Sequence, residues 1–455
     1  MLEKRDTATG ELVEKSFIHY LPVVIVGILI CGVPSAILNS CAGIFYPVIA
    51  EDFGVPLSQV SMWRTINYIF GVLIMPFAGF FFVRYNAKII VIIAAIVESL
   101  SFVLFGLSPE VWVLWIGGAL TGMSNAVLLG VSIVTIINRW FKTNVGLIIG
   151  ICTAFTGIGG IVFSPIAQAL IDTSGWRFSY IALGVFSLVV MTLGVLFLFS
   201  DKPEKKGLLP YGTNREAKKE ATSKEEVVDA PCVHPNVAKK SILLVVLIIF
   251  AVIANTICNV SMYFPTYVAW FNEQPDIVAG ILVGAFVTGA ELNAFISAGN
   301  AAGKLGLGFF SDLNLNFTLV LLVAVAVIGV VFMWFFPNTV LLPIGGFLFG
   351  CFVPATLVVT PMIVRACFGS GASYPIIYSW VSTALGFGGA VGSYFWAVVA
   401  ENLGGFDAVF SLVLVCLVVV LVLGFIALRM KNKLPREHWT EEDLNKSKKE
   451  GTAKA

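Results

Sequence analysis

Twelve long apolar runs are the feature that most constrains this chain of 455 residues. Each run has at least the ~20 residues that an α-helix needs to cross the hydrocarbon core of a bilayer. Charged residues make up only 12% of the chain, about half the ~25% of a soluble domain. The sequence therefore predicts an all-α membrane protein of twelve transmembrane helices, near 20–48, 58–83, 87–107, 111–138, 144–171, 177–199, 241–270, 277–303, 317–336, 339–364, 373–400 and 406–429.

The placement of lysine and arginine predicts the orientation in the membrane. If both termini are cytoplasmic, every basic residue except Arg64 and Arg177 falls in an inside segment or at its edge. This bias fits an even number of spans with both ends inside, and we expect a multi-pass protein of the plasma membrane.

A polar segment divides the runs into two sets of six. Residues 201–240 carry many charges of both signs and are expected to form a mobile cytoplasmic linker. The expected organisation is a cytoplasmic tail, a six-helix bundle, the linker, a second six-helix bundle and a second cytoplasmic tail, at 1–19, 20–200, 201–240, 241–430 and 431–455.

Short motifs repeat between the two sets at an offset of 229 residues. GFFFVRYNAK begins at Gly79 and GFFSDLNLNF begins at Gly308, while GIGG at 157–160 matches GFGG at 386–389. Two matches at one offset indicate a duplicated unit, and hence two pseudo-symmetric six-helix bundles. Repeats of this kind place a substrate site at their interface, near the middle of the membrane.

With its twelve spans, its repeat and its motifs, the chain resembles the major facilitator superfamily. NRWF at 138–141, GWRFSY at 175–180 and KGLLPYG at 206–212 are similar to the monocarboxylate and oxalate/formate transporter group. The resemblance implies transport by alternating access, with helices 1, 4, 7 and 10 lining the cavity.

The family's loop motif, G-x-x-x-D-R-x-G-R/K-R/K, is incomplete in both copies. The first copy has Val83 and the second has Leu313 where the family has an acid and an arginine. The resemblance implies that the retained residues form a cytoplasmic gate, together with a lysine expected at the cytoplasmic edge of helix 8: Gly79, Arg84, Lys88, Gly308, Asp312 and Lys304.

The stretch GNAAGKLGLGFFSD at 299–312 also suggests a phosphate-binding loop, but its spacing is wrong. Only three residues separate Gly299 from Gly303, and Leu305 stands where that motif needs Ser or Thr. The glycines are better explained by close helix packing.

Three charged residues fall within the predicted spans, where an ionisable group costs at least ~3 kcal/mol. Arg64 lies roughly 22 Å along its helix from Gly79, and either reaches the outer headgroups or contacts substrate. Glu98 and Glu291 are the candidates for proton coupling, because burial disfavours an ionised carboxylate. Their alternatives are a structurally paired Glu98 and an exposed Glu291.

Polar side chains on the expected cavity helices and on helix 11 form the remaining substrate-site prediction. Such groups often bond a neighbouring helix instead, so the set carries more weight than any member. With Arg64, it comprises Asn39, Asn125, Asn255, Asn259, Tyr263, Thr356, Tyr378, Trp380, Ser382 and Thr383.

The sequence thus predicts a secondary active transporter, most simply a proton-linked symporter of a small monocarboxylate. The alternatives are an antiporter or exporter of a neutral or aromatic solute, and a transporter-like sensor. No His or Cys arrangement suggests an enzyme or a metal site, and no cofactor is expected. The expected partners are a small-molecule substrate, protons and the lipid bilayer, with no nucleic acid, for a protein acting as a monomer.

Overall fold

A computed structural model describes residues 13–143, 145–213, 232–272, 287–337, 340–369, 373–431 and 433–436, and it consists of long helices. The helices are α1 Leu21–Phe53, α2 Leu57–Arg84, α3 Ala87–Gly106, α4 Val111–Trp140, α5 and α6 within Val145–Leu198, α7 Ile242–Asn272, α8 Gly289–Leu313, α9 Leu315–Phe335, α10 Leu341–Phe368, α11 Tyr374–Asn402 and α12 Gly405–Met430. Gly175, with φ 81°, divides α5 (145–174) from α6 (176–198). The predicted fold class of twelve helices is confirmed.

By length and apolar composition, nine of the described helical stretches could span a membrane, and Val145–Leu198 contains two spans. Helices α2 and α8, with 28 and 25 residues, also have the length of a span. Helix α8 begins later than predicted, at Gly289 instead of near 277. The apolar pattern does not mark this boundary, whereas the hydrogen bonds that cap the helix do.

The two sets of six helices pack in the same way. Helix α1 packs on α5, α2 on α4 and α3 on α6, and the equivalent pairs in the second set are α7 with α11, α8 with α10 and α9 with α12. Between the sets, α5 contacts α8 and α2 contacts α11. A pseudo-twofold axis relates the two sets of helices, and it places the α5–α8 contact on the α11–α2 contact.

Equivalent hydrogen bonds occur in the two halves at the sequence offset of the repeat. Ser164 Oγ donates to Gly160 O at 2.6 Å in α5, and Ser393 Oγ donates to Gly389 O at 2.8 Å in α11. The glycines allow close packing, since a Cβ on Gly157 would lie 2.5 Å from Ser297 O of α8. The repeated GIGG and GFGG motifs therefore lie where α5 and α11 touch the other half.

Four helices are interrupted near their middles, and they are α1, α4, α7 and α10. Helices α1 and α4 contain π-helical turns at Ile37–Cys41 and Ala126–Ser132. Helices α7 and α10 contain 3₁₀ turns at Ser261–Tyr263 and Val353–Ala355. Such interruptions free backbone groups and often mark functional hinges or binding sites in membrane proteins.

The two faces of the molecule differ in how closely the halves approach. We call the face where α1 begins the proximal face, and the face where α1 ends the distal face. A Cβ on Gly43 of α1 would lie 2.2 Å from Met262 O of α7, so the halves touch in their distal parts. Near the proximal end of α5, a Cβ on Gly146 or Gly150 would meet nothing within 4 Å.

The two ends of the linker make hydrogen bonds to the helical bundles. Tyr20 OH donates to Leu209 O at 2.6 Å, and Phe141 and Tyr211 form an isolated parallel β-bridge. At the other end, Val233 N donates to Phe368 O at 2.9 Å. Each end of the linker is thus attached to its own six-helix bundle, whereas residues 214–231 lie outside the described residues.

Candidate substrate site between the two halves

Arg64 of α2 points into the protein interior and is only 2% exposed. Its Nη2 donates to Asn39 Oδ1 at 2.5 Å, and its Nη1 donates to Asn67 Oδ1 at 3.4 Å. The guanidinium also lies 4.9 Å from the centroid of the Tyr68 ring, a distance suited to a cation–π contact. Of the two alternatives from sequence, the geometry favours the interior position over the headgroups.

Polar contacts link the Arg64 region to the interrupted helices α1 and α4. Asn39 lies in the π-helical turn of α1, and Asn67 Nδ2 donates to Thr121 Oγ1 of α4 at 3.0 Å. Further along, Ser35 Oγ donates to Asn125 Oδ1 at 3.3 Å. Three predicted site residues, Arg64, Asn39 and Asn125, therefore lie in one region of the first half.

Glu98 of α3 is fully buried. Neither carboxyl oxygen makes a well-formed hydrogen bond to a described residue, although the Ser124 hydroxyl and Arg64 are close enough to interact with the carboxyl. No ion pair within 4.0 Å joins Glu98 to a described basic group. Burial without an ion pair disfavours the ionised carboxylate, so Glu98 is a candidate for gaining a proton.

Glu291 does not lie inside the bundle. It is exposed in the first turn of α8, where its Oε2 accepts from Thr288 N at 2.8 Å while Thr288 Oγ1 accepts from Glu291 N at 3.1 Å. This reciprocal pair is a capping box, which stabilises the start of a helix. Of the two alternatives from sequence, this geometry favours the exposed Glu291, because α8 begins only two residues earlier.

Lys304 of α8 lies deeper than the edge position expected from sequence. Its Nζ donates to Thr153 O at 3.0 Å and to Thr156 Oγ1, both on α5 of the other half. Lys304 is about 13 Å along α8 from Leu313, and helical side chains lean toward the helix N-terminus, here the distal face. The ammonium therefore bridges the two halves well inside the bundle.

Asn293 occupies the position in the second half that is equivalent to Arg64. Its Nδ2 donates to Ser40 O of α1 and, at 2.8 Å, to Ser164 Oγ of α5. The 229-residue offset was the only sequence signal for this residue. An amide in place of a guanidinium makes the two halves chemically unequal at this level.

The polar candidates of α7 mostly bond the neighbouring helix α11. Asn255 Nδ2 donates to Leu385 O at 2.6 Å, Tyr263 OH donates to Ser393 O, and Asn259 Oδ1 accepts from Ser393 Oγ at 3.2 Å. These contacts favour the alternative interpretation from sequence, in which such polar groups bond a neighbouring helix instead of a substrate.

The remaining candidates lie on α10 and α11. Thr356 and Thr383 donate to carbonyls of their own helices, at 3.5 and 2.9 Å. Tyr378 stacks on Tyr374 with ring centroids 5.7 Å apart, and Trp380 and Ser382 are half-buried. None of the described hydrogen bonds joins these five candidates to Arg64 or Lys304.

A charged cluster at the proximal face supplies the acid that the loop motif lacks at Val83. Asp201, just after α6, accepts from Arg139 Nη1 at 2.8 Å and from Ala87 N at 3.1 Å. Arg139 also donates to Phe82 O at 2.6 Å. Sequence analysis missed Asp201, although an acid directly after an apolar run was a visible signal.

The other gate candidates are less informative. Lys88 Nζ donates to Leu196 O at 2.7 Å and so caps the end of α6, while Arg84 lies exposed at the end of α2. Gly79, Gly308 and Asp312 fall in α2 and α8, but their surroundings lie outside the described part of the structure. The gate itself stays a prediction.

Comparison with known proteins identifies the family. A model of the Major Facilitator Superfamily matches residues 28–365, which is most of the chain. The chain belongs to the major facilitator superfamily. The predicted resemblance is confirmed, and the protein is a transporter of this superfamily.

Curated relatives of this transporter are distant and align over parts of it. It is 30% identical over 155 residues to the uncharacterized transporter YcxA of Bacillus subtilis, covering 34% of this chain and 38% of that protein. It is 25% identical over 168 residues to human monocarboxylate transporter 11, covering 37% and 35%. The chain thus spans well under half the length of these two relatives. An alignment with YhjX of Escherichia coli is longer, at 23% identity, 76% of this chain and 79% of that protein.

Solved structures with the same fold include transporters of different chemistry. The transporter superimposes on a bacterial homolog of the lysosomal transporter Spinster, in an inward-facing and occupied conformation, with TM-score 0.63 and 14% identity over 94% of this chain and all of that one. It also superimposes on the nucleoside transporter NupG with TM-score 0.64 and 14% identity, covering 91% and 99%. At such identities the likeness concerns the fold alone.

Proposed function

We propose that this transporter moves a small monocarboxylate across the membrane together with a proton. The observation that carries the proposal is the environment of Lys304. Its ammonium lies between α5 and α8 and donates only to the neutral oxygens of Thr153 and Thr156 among the described residues. Neither contact compensates its charge.

A positive charge inside a membrane protein is costly unless an anion accompanies it. The ammonium has three donors, two of which are used, and a carboxylate oxygen would offer a stronger, charge-assisted bond. Arg64 is similar, because its described hydrogen bonds go to amide oxygens and its Nε has no partner. An anionic substrate would satisfy either cation, and one carboxylate needs only one of them.

The named substrates of the relatives support an organic anion. Besides monocarboxylate transporters 11 and 12, the relatives include a probable sulfoacetate transporter and a hexuronate transporter. These names describe those proteins, and the alignments cover 37 to 44% of this chain. They favour an acid over the neutral or aromatic solute of the alternative prediction.

Glu98 is our candidate for the proton-binding residue. The carboxyl is fully buried and makes no well-formed hydrogen bond to a described residue, and its polar neighbours are the Ser124 hydroxyl and Arg64. A proton on Glu98 would leave Arg64 free to interact with an anion. We assign Glu291 no part in coupling, because it is exposed in the capping box of α8.

The distribution of lysine and arginine supports a plasma-membrane orientation with both termini in the cytoplasm. In that orientation the proximal face is cytoplasmic, and the halves are closest on the outer side. We propose a monomer without cofactor as the working unit.

Uptake by reconstituted protein tests the proposal. Liposomes would be assayed with labelled acetate, lactate, pyruvate and benzoate, with and without an inward proton gradient. We expect gradient-driven accumulation of at least one acid, and a loss of at least tenfold in Lys304→Gln. Lys205→Gln is the matched control, because Lys205 is a surface cation with a side chain 54% exposed. Folded protein that takes up nucleosides or aromatic amines but no acid would refute the proposal.

A further inference from the structure

The contact between α5 and α8 is one of the helix pairs that join the halves. At its distal end, Asn293 binds Ser164, and in the middle a Cβ on Gly157 would lie 2.5 Å from Ser297 O and 2.9 Å from the Ala301 side chain. This contact is therefore tight, and helix backbones meet there without intervening side chains.

The contact loosens on the proximal side of Lys304. Lys304 reaches Thr153 and Thr156, whereas a Cβ on Gly150, about one turn further along α5, would meet nothing within 4 Å. Leu305, beside Lys304, is 58% exposed. The ammonium thus lies where the packed part of the α5–α8 contact gives way to open space.

We propose that Thr156 competes with the substrate carboxylate for Lys304, so that substrate binding breaks the hydrogen bond between Lys304 of α8 and Thr156 of α5. The inference rests on the proposed function, because it takes Lys304 as the anion-binding residue. Without substrate, the ammonium is held by the Thr156 hydroxyl and holds the two halves together at this level. A carboxylate arriving from the open side draws the ammonium away from α5.

The chemistry of the two acceptors decides the competition. The ammonium makes a charge-assisted hydrogen bond to either acceptor, but the carboxylate also brings a negative charge that compensates the ammonium, whereas Thr156 offers only a neutral hydroxyl. Thr156 Oγ1 also donates to Thr153 O at 2.9 Å, so the hydroxyl keeps a partner after the ammonium leaves. Release of Lys304 therefore leaves no unsatisfied group on Thr156, and the binding energy of the substrate can be used to separate the helices.

Removing the competitor should tighten substrate binding. For Thr156→Val we expect an affinity about fivefold higher than in the unchanged protein, for the acid of the four-member panel that the liposomes accumulate best. Thr156→Ser, which keeps the hydroxyl, should restore the original affinity. Thr173→Val is the control for loss of a threonine hydroxyl on α5, because Thr173 is exposed at the distal end and bonds Ala169 O of its own helix.

A distance measurement separates competition from a general change in affinity. Spin labels at Leu147, exposed near the proximal end of α5, and at Leu305, exposed beside Lys304 on α8, would be placed in a background that lacks the eight cysteines and still transports. Adding the acid should lengthen the distance in the unchanged protein, and Thr156→Val should show the longer distance without acid.

The outcomes distinguish this inference from the proposed function. If Lys304→Gln abolishes binding but Thr156→Val binds with unchanged affinity and unchanged distance, the competition is refuted while the anion site stands. If Lys304→Gln still binds and transports the acid, the Lys304 site and the competition are both refuted, while transport of a monocarboxylate stands. If Thr156→Val does not fold, Thr156→Ala removes the same hydroxyl and is expected to give the same tighter binding.

Discussion

Glu401, at the end of α11, accepts a hydrogen bond from the backbone N of Ser58, in the first turn of α2, through its Oε1 at 2.9 Å. Helix α2 follows Pro56, which has no side-chain group to cap the helix. The cap therefore comes from the other half of the protein. The equivalent acid in the first half, Asp172, bonds Gln168 of its own helix, and α8 carries its own capping box.

Glu401→Ala should weaken closure at the distal face. The variant removes an interhelical, charge-assisted cap worth about 1 kcal/mol. The equilibrium between the form closed at the distal face and the form open there should therefore shift about fivefold toward the open form. Distances between spin labels on the distal ends of α1 and α7 would report the shift. Asp172→Ala is the control, and an equal effect of both variants would show that Glu401 is not a latch.

Asp201→Ala should destabilise the first bundle by about 1–3 kcal/mol. The Asp201 side chain is 9% exposed, and its loss leaves Ala87 N and the Arg139 guanidinium without their acceptor. Thermal unfolding in detergent would measure the change. Asp52→Ala breaks the Arg177 pair, whose side chains are 39–43% exposed, and should cost less than about 1 kcal/mol. A comparable loss in both variants would contradict the structural role of Asp201.

Glu98→Gln should uncouple transport from the proton gradient. The amide keeps the shape of the carboxyl but cannot exchange a proton, so gradient-driven accumulation should fall at least tenfold while acid exchange at equal pH persists. Uptake and counterflow in the same liposomes would measure the two activities. Liposomes that contain the Glu291→Gln variant should still accumulate acid, because this change alters only the capping box of α8. Intact accumulation by Glu98→Gln would exclude Glu98 as the proton site.

Gly122→Ala should disturb the Arg64 region. A Cβ there would lie 2.1 Å from Asn67 O of α2, so either α4 or α2 must move, at a cost of about 1–3 kcal/mol. The unfolding temperature in detergent and the affinity for the acid should both decline. Gly146→Ala is the matched control, since its Cβ would meet nothing within 4 Å and alanine favours a helix by about 1 kcal/mol. Unchanged stability in Gly122→Ala would contradict the close approach of α2 and α4.

The site was only partly predictable because its contacts join distant parts of the chain. Arg64 and Asn39 could be identified as polar groups in apolar runs, and they lie together. Lys304 was expected at the cytoplasmic edge, but its partner Thr156 is 148 residues away in another helix. Glu291 was expected inside, and only the start of α8 shows that it caps that helix.

The sequence by itself determined the number of helices, their division into two sets and the duplicated unit. A chain in a membrane must satisfy its backbone hydrogen bonds within each helix, so run length and apolar composition suffice for these features. Tertiary structure alone decided which charges are compensated. Arg64 faces amides, Glu98 has no ion pair among the described residues, and Lys304 bridges the halves, because the neighbours of a side chain depend on how the helices pack together.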